Sequence, residues 1–194
     1  MYLTRITLNK SQVAKLKIRD AYAWHQKLWE AFPGRDGEKR NFLFRIDDAG
    51  RDICVLMLSH SEPDKPAWGY WEPKPIADSF LQHNTYRFQL KANPTMRRAS
   101  DKRRLGIYQE DRLYEWIQRK ADQNGFDVRT KDVTISAPVE EYFVKNSRRG
   151  KHVAVDFQGV LSVNDRTAFI KAFENGIGSA KAFGFGMLML EPKD

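Results

Sequence analysis

Apolar and polar positions along the chain sort into two rounds of short strands and helices. Residues 2–8 bring Tyr, Ile and Thr together before the polar break Asn9-Lys10-Ser11, the make-up of a first strand. From Asp20, a residue type that caps helices, Tyr22, His25, Leu28, Trp29 and Phe32 recur at helical spacing until Pro33-Gly34 ends the pattern. That predicts a helix with an aromatic face. Phe42–Ile46 and Ile53–Leu58 are strand-like and joined by the turn-forming Asp47-Asp48-Ala49-Gly50, so they pair as an antiparallel hairpin. Four prolines, at 63, 66, 73 and 75, lie among Trp68, Tyr70 and Trp71 and predict a loop-rich connection with at most a short edge strand.

The second round starts at Tyr86–Ala92, where Tyr86, Phe88 and Leu90 alternate onto one face before Asn93-Pro94. Residues 96–104 are polar and basic without an apolar period, and read as an exposed loop. Glu110–Asn124 places Leu113, Trp116 and Ile117 at helical spacing and ends before Gly125. Phe126–Ser136 and Val153–Val163 are strands, and Tyr142–His152 between them is a hairpin arm with a basic tip. Asn164 or Asp165 caps a helix through Phe169, Ile170 and Phe173, which stops at Asn175-Gly176. A glycine-rich loop and the closing strand Met187–Leu190 follow.

From Tyr86 onward the order is β-α-β-β-α-β, the ferredoxin-like arrangement, and the first half offers a shorter version of it. The expected fold is therefore α+β, a tandem of two ferredoxin-like, RRM-like domains built on antiparallel sheets, with a boundary between residues 84 and 85. Element order alone carries this, because no internal sequence repeat is evident.

Charge narrows the classes of partner. The formal net charge of +8 and a pI near 9.6 favour an acidic partner such as nucleic acid. No run of apolar residues is long enough for a membrane span and the N-terminus has no signal-peptide core, so a soluble, cytoplasmic protein is expected. The single cysteine, Cys54, sits in an apolar run and reads as a buried thiol rather than a nucleophile. The four histidines lack zinc-ligand spacing, so no metal or other cofactor is expected.

Tyr22 and His25 lie three apart on one helix, which brings a phenol and an imidazole side by side. Histidine can take a proton from a ribose hydroxyl or return one to a leaving oxygen at neutral pH, although such a pair more often packs as part of an aromatic face. Two basic clusters supply context: Arg97, Arg98, Arg103 and Arg104, and Arg148, Arg149 and Lys151 at the arm tip, where neutralising phosphates would give affinity. In the loop of residues 176–186, glycines such as Gly178 and Gly184 let the main chain approach a ligand, and Lys181 adds a point charge. The loop lacks both the third glycine of a dinucleotide fingerprint and the ending of a P-loop.

The start Met1-Tyr2-Leu3-Thr4, the helix Tyr22–Trp29 followed by Phe32-Pro33, the strand end Lys91-Ala92-Asn93-Pro94 and the tail Gly176–Leu188 together resemble the CasE family of CRISPR RNA-processing endoribonucleases of the type I-E Cascade system. The resemblance implies cutting of the CRISPR repeat transcript without a metal, on the 3′ side of its stem-loop. The adjacent 2′-hydroxyl would attack, leaving a 2′,3′-cyclic phosphate and a 5′-hydroxyl. His25 matches the family's catalytic histidine and Tyr22 its assisting tyrosine. The stem-reading hairpin falls on Arg148, Arg149 and Lys151. Lys91 stands where arginine is common, Ser179 where proline is common, and the product is expected to stay bound with other Cascade subunits.

A different class competes. Lys181-Ala182-Phe183-Gly184-Phe185-Gly186 approaches the base-stacking RNP1 pattern of a non-catalytic RRM-type RNA-binding protein. The pattern belongs on an interior strand, whereas this copy falls on a final loop and strand.

Overall fold

A computed structural model describes residues 1–35, 38, 40–101, 103–145 and 147–193. Eleven strands and four α-helices are formed by these residues. The first sheet takes β1 (Tyr2–Asn9), β2 (Phe42–Ala49), β3 (Asp52–Ser59) and β4 (Tyr70–Pro75) in the order β2-β3-β1-β4, with each neighbouring pair antiparallel. Between β1 and β2 come α1 (Lys10–Lys15) and α2 (Ala21–Leu28), the latter followed by a 3-10 turn over Trp29–Ala31. The helical pattern read to Phe32 thus tightens after Leu28, one turn before Pro33.

One element departs from the expectation. The short α1 follows Asn9, whose side chain accepts from the Gln12 amide while Gln12 returns the bond, a capping box too brief for apolar periodicity to reveal. Residues 70–75 form β4, the short edge strand that the prolines left room for, at a position where the missing donors of Pro73 and Pro75 are tolerated.

The second sheet uses β5 (Thr85–Ala92), β8 (Phe126–Ile135), β10 (Arg148–Val163) and β11 (Leu188–Pro192) in the order β11-β5-β10-β8. Helix α3 (Glu110–Gln123) precedes β8, and α4 (Arg166–Asn175) follows β10. Both sheets have the first and third strands of their unit at the centre, the ferredoxin-like order. In the first unit the segment between β3 and β4 holds no helix. The supposed basic loop closes into a small ladder, β6 (Thr95–Arg97) with β7 (Arg104–Gly106). The first half of β10 leaves the sheet and pairs β9 (Val139–Lys145), which makes the projecting arm.

Two apolar cores follow from strand alternation. Trp24, Leu28 and Phe32 pack on Ile6, Phe44, Val55 and Met57, covering one face of the first sheet. Leu43 and Leu58 emerge on its other face and join the second core, with Tyr86, Phe88, Trp116, Phe157 and Phe169. Cys54 is only half-buried, since its neighbours Val55 and Met57 take the inward positions; burial still pushes its thiol pKa up and keeps it protonated. Among the described residues no helix is long and apolar enough to cross a membrane.

Candidate active site

Helix α2 begins where Asp20 accepts the Ala23 amide through Oδ1 at 2.8 Å. Its other oxygen, Oδ2, accepts the Val144 amide at 2.9 Å, so the residue that caps the helix also fastens the arm to it. The tether sets the next residue, Lys145, with its Nζ 5.3 Å from the centre of the Tyr22 ring. Tyr22 and His25 lie on one face of α2 with ring centres 6.3 Å apart.

Aromatic contacts bind three separate parts of the chain at this place. Tyr22 stacks on Phe183 of the glycine loop at 5.7 Å, and Phe183 meets Phe143 of the arm at 4.4 Å. Phe143 stacks on His152 at 4.7 Å. Buried Asn93 locks the arrangement from behind: its Oδ1 accepts the Val153 amide, and its Nδ2 reaches Ser179 Oγ and His152 Nδ1. Ser179 Oγ also donates to the Asn93 carbonyl, so a hydroxyl ties the glycine loop to the end of β5.

His25 is held among Trp29, Phe42 and Phe44, and its Nε2 is buried without a partner. Burial first, then the Arg40 and Lys145 charges, push its pKa down to about 4. The imidazole is therefore neutral at physiological pH, with one ring nitrogen unprotonated. Lys181 is half-buried, and its pKa is lowered by burial, then by Arg40 and Lys120. Arg40 is itself pushed down by burial, and its Nε has no partner. A neutral base thus stands beside several cations, a setting that stabilises an anion with developing charge.

The two basic clusters divide once they fold. Strand alternation puts Arg148, paired across from Lys145, on the face of the arm that carries Phe143 and His152. Arg149 and Lys151 take the opposite face, Arg149 over the Tyr142 ring at 5.2 Å and Lys151 bonded to Glu140. That carboxylate accepts from Lys151, Tyr108 and Tyr142, which pulls its pKa down to about 2. In the other cluster Arg98 and Arg103 both pair with Asp101, whereas Arg97 and Arg104 stand opposite each other across β6 and β7. Lys91 pairs with Glu141 at 2.6 Å and lies over Phe185, at the base of the arm face that carries Phe143 and His152.

The glycine loop brings Lys181 to the site, but its two candidate glycines serve the packing. Gly178 has φ +85°, and a Cβ there would meet the Trp116 ring at 3.3 Å; Gly184 has φ +81° against Phe44. Residues 181–183 form a 3-10 turn rather than a strand, with Phe183 and Phe185 spent on the aromatic cluster. The polar face of the second sheet, where an RRM would present stacking rings, opens a cavity lined by Arg87, Gln89, Thr134 and Gln158.

Arg40 and Lys145 escaped the sequence reading. Arg40 lies in a charged connection with no periodicity, and Lys145 stands in the arm beside a run of arginines that draws more attention. The β9 alternation that groups Lys145 with Phe143 was the available signal.

The chain is 31% identical to the CRISPR system Cascade subunit CasE of Escherichia coli K12, covering 99% of this chain and 100% of that protein. It is 28% identical to the CRISPR-associated endoribonuclease Cse3 of Thermus thermophilus, over 99% and 100%. A structure of Cse3 bound to a 19-nucleotide RNA superposes with a TM-score of 0.87 at 25% identity, over 99% of this chain and all of that one. The crystal structure of Cas6e from Escherichia coli K-12 matches along both full chains, with a TM-score of 0.76 at 30% identity. With the family model for CRISPR associated protein matching residues 1–192 as well, the chain belongs to that family and, within it, to the CasE type.

Proposed function

We propose that this protein is an endoribonuclease that cuts the stem-loop of CRISPR repeat RNA and stays with the product as a subunit of a cytoplasmic Cascade complex. The observation that carries the reading is the neutral His25 beside Tyr22, with Lys145 and Arg40 acting on it and Lys181 next to Arg40. His25 takes the proton of the 2′-hydroxyl next to the scissile phosphate as that oxygen bonds to phosphorus. The bond from phosphorus to the 5′ oxygen breaks, giving a 2′,3′-cyclic phosphate; the leaving oxygen takes a proton from solvent water to become a 5′-hydroxyl, and His25 returns its proton to the hydroxide so formed. Lys145 and Lys181 offset the charge that builds on the phosphoryl oxygens, the role a metal would otherwise fill, and Tyr22 orients the reacting group. Arg148 faces the strand at the reaction site, and Arg149 and Lys151 face the stem from the arm's other side. The two ferredoxin-like units divide as residues 1–84, with the reacting helix, and 85–194, with the arm and glycine loop.

Single-turnover cutting of a repeat stem-loop in excess EDTA tests the reading. A discrete cut is expected, and replacing the one attacking ribose by deoxyribose abolishes it while leaving binding intact. Full cutting of the deoxy substrate would sink the mechanism, and binding with no cut of the all-ribose RNA would return the protein to the RRM-type class.

A further inference from the structure

A second cationic feature adjoins the reaction site and shares only Lys181 with the chemistry above. A cleft of about 460 Å³ opens between the small β6–β7 ladder, the last turn of α3 and the glycine loop. Arg97, Arg104, Arg119, Lys120 and Lys181 line it with no carboxylate among the lining residues, and Gln123 and Asn124 add side-chain amides. The hairpin's own acid, Asp101, is taken by Arg98 and Arg103, outside the cleft. Lys120 donates to Gln123 Oε1; burial first and then the Arg119 charge lower its pKa, and burial first, then Arg40 and Lys120, lower that of Lys181.

Solvated surface charges usually spread apart and pair with acids. Here two half-buried ammonium groups line one cleft with no carboxylate among the described residues that line it, an arrangement that costs folding free energy until an anion offsets it. Lys181 belongs to both places: Arg40 acts on it from the His25 side and Lys120 from the cleft. Cations therefore run without a break from His25 through Arg40 and Lys181 onto the end of α3. A cleft of this volume admits one chain of nucleotides and excludes a duplex, and its amides match base edges while its cations match phosphates.

We propose that this cleft binds the single-stranded RNA immediately downstream of the scissile phosphate, through its phosphates and at least one base. The direction of the strand rests on the endoribonuclease reading, since only the downstream segment continues from the scissile phosphate away from the stem. Arg119 and Lys120 are then substrate-binding residues that act outside the reacting atoms.

Binding of uncleavable RNA, deoxy at the attacking ribose, to the full chain tests this across a salt series. Three RNAs are compared: a stem-loop ending just past the scissile phosphate, the same with about six more nucleotides downstream, and one with the extension upstream. The downstream extension is expected to tighten binding about tenfold, and annealing a complementary strand to it removes the gain. An Arg119→Gln/Lys120→Gln variant loses the gain, its salt slope for the extended RNA falling by about 1.4, while it binds the short RNA, and cuts the all-ribose form of it, as the parent does. Arg119→Lys retains most of the gain. No gain from the downstream extension, an equal gain upstream, a gain that survives annealing, or a variant weakened equally on the short RNA would each overturn the assignment. Failure of the parent to cut the all-ribose form of the short RNA would count against the endoribonuclease reading, and the affinity comparison would still decide the cleft.

Discussion

Acid should weaken the folded protein through His25 in a way that one substitution isolates. The imidazole titrates at its ordinary 6.5 in the unfolded chain and at about 4 in the folded one. The folded state therefore binds fewer protons between these values, so the stability that His25 confers is complete above the higher value and is lost as pH falls toward the lower. The loss is on the order of 1 kcal/mol at pH 5.5 and 2 kcal/mol at pH 4.5. His25→Gln keeps a polar side chain and removes the titration. Urea unfolding of both proteins at pH 7, 5.5 and 4.5 should show the parent losing stability faster by about these amounts. The lowered pKa of His152 is common to both proteins and cancels. Bound RNA supplies the opposite sign: a phosphate beside the ring favours its charged form, so uncleavable RNA should bind the parent more tightly at pH 5.5 than at 7, by a margin that His25→Gln lacks. Parallel stability losses in the two proteins would refute the claim that His25 is held neutral by burial and neighbouring cations.

Two further outcomes follow from how the arm is seated. Lys145→Ala should slow single-turnover cutting by about a hundredfold while changing affinity for uncleavable RNA only a few-fold, with Lys145→Arg recovering part of the rate; a loss seen in affinity alone would make Lys145 a binding residue. Asp20 serves two amides with two oxygens, so Asp20→Asn, with a single acceptor oxygen, keeps the helix cap or the arm tether but not both. Asp20→Ala adds the cost of the lost cap, about 1 kcal/mol, readable as a lowered Tm. In both variants the cutting rate should fall more than RNA affinity, and an unchanged rate would show that the arm holds its place without the tether.

The arrangement of strands and helices was written locally. Alternation at Tyr86–Ala92, helical spacing at Leu113, Trp116 and Ile117, and the caps Asp20 and Asp165 act over a few residues, and the structure keeps all of them. Tyr22 and His25 share a helix face for the same reason. Elements governed by their neighbours were less visible: β4 forms among prolines because an edge was open to it, and the basic stretch at 96–104 folds back because its ends pair. The site lies further along this scale. Neutrality of His25 needs Phe42 and Phe44 from β2 and charges from Arg40 and Lys145, spread over 120 residues between His25 and Lys145 and set together by Asp20 and Phe183. Sequence alone determined which residues can do acid–base work and that the chain suits an acidic partner. Tertiary structure decided which cations face His25, which are spent on Asp101 or Glu140, and which line a second cleft, because burial and pairing depend on distances that chain spacing does not fix.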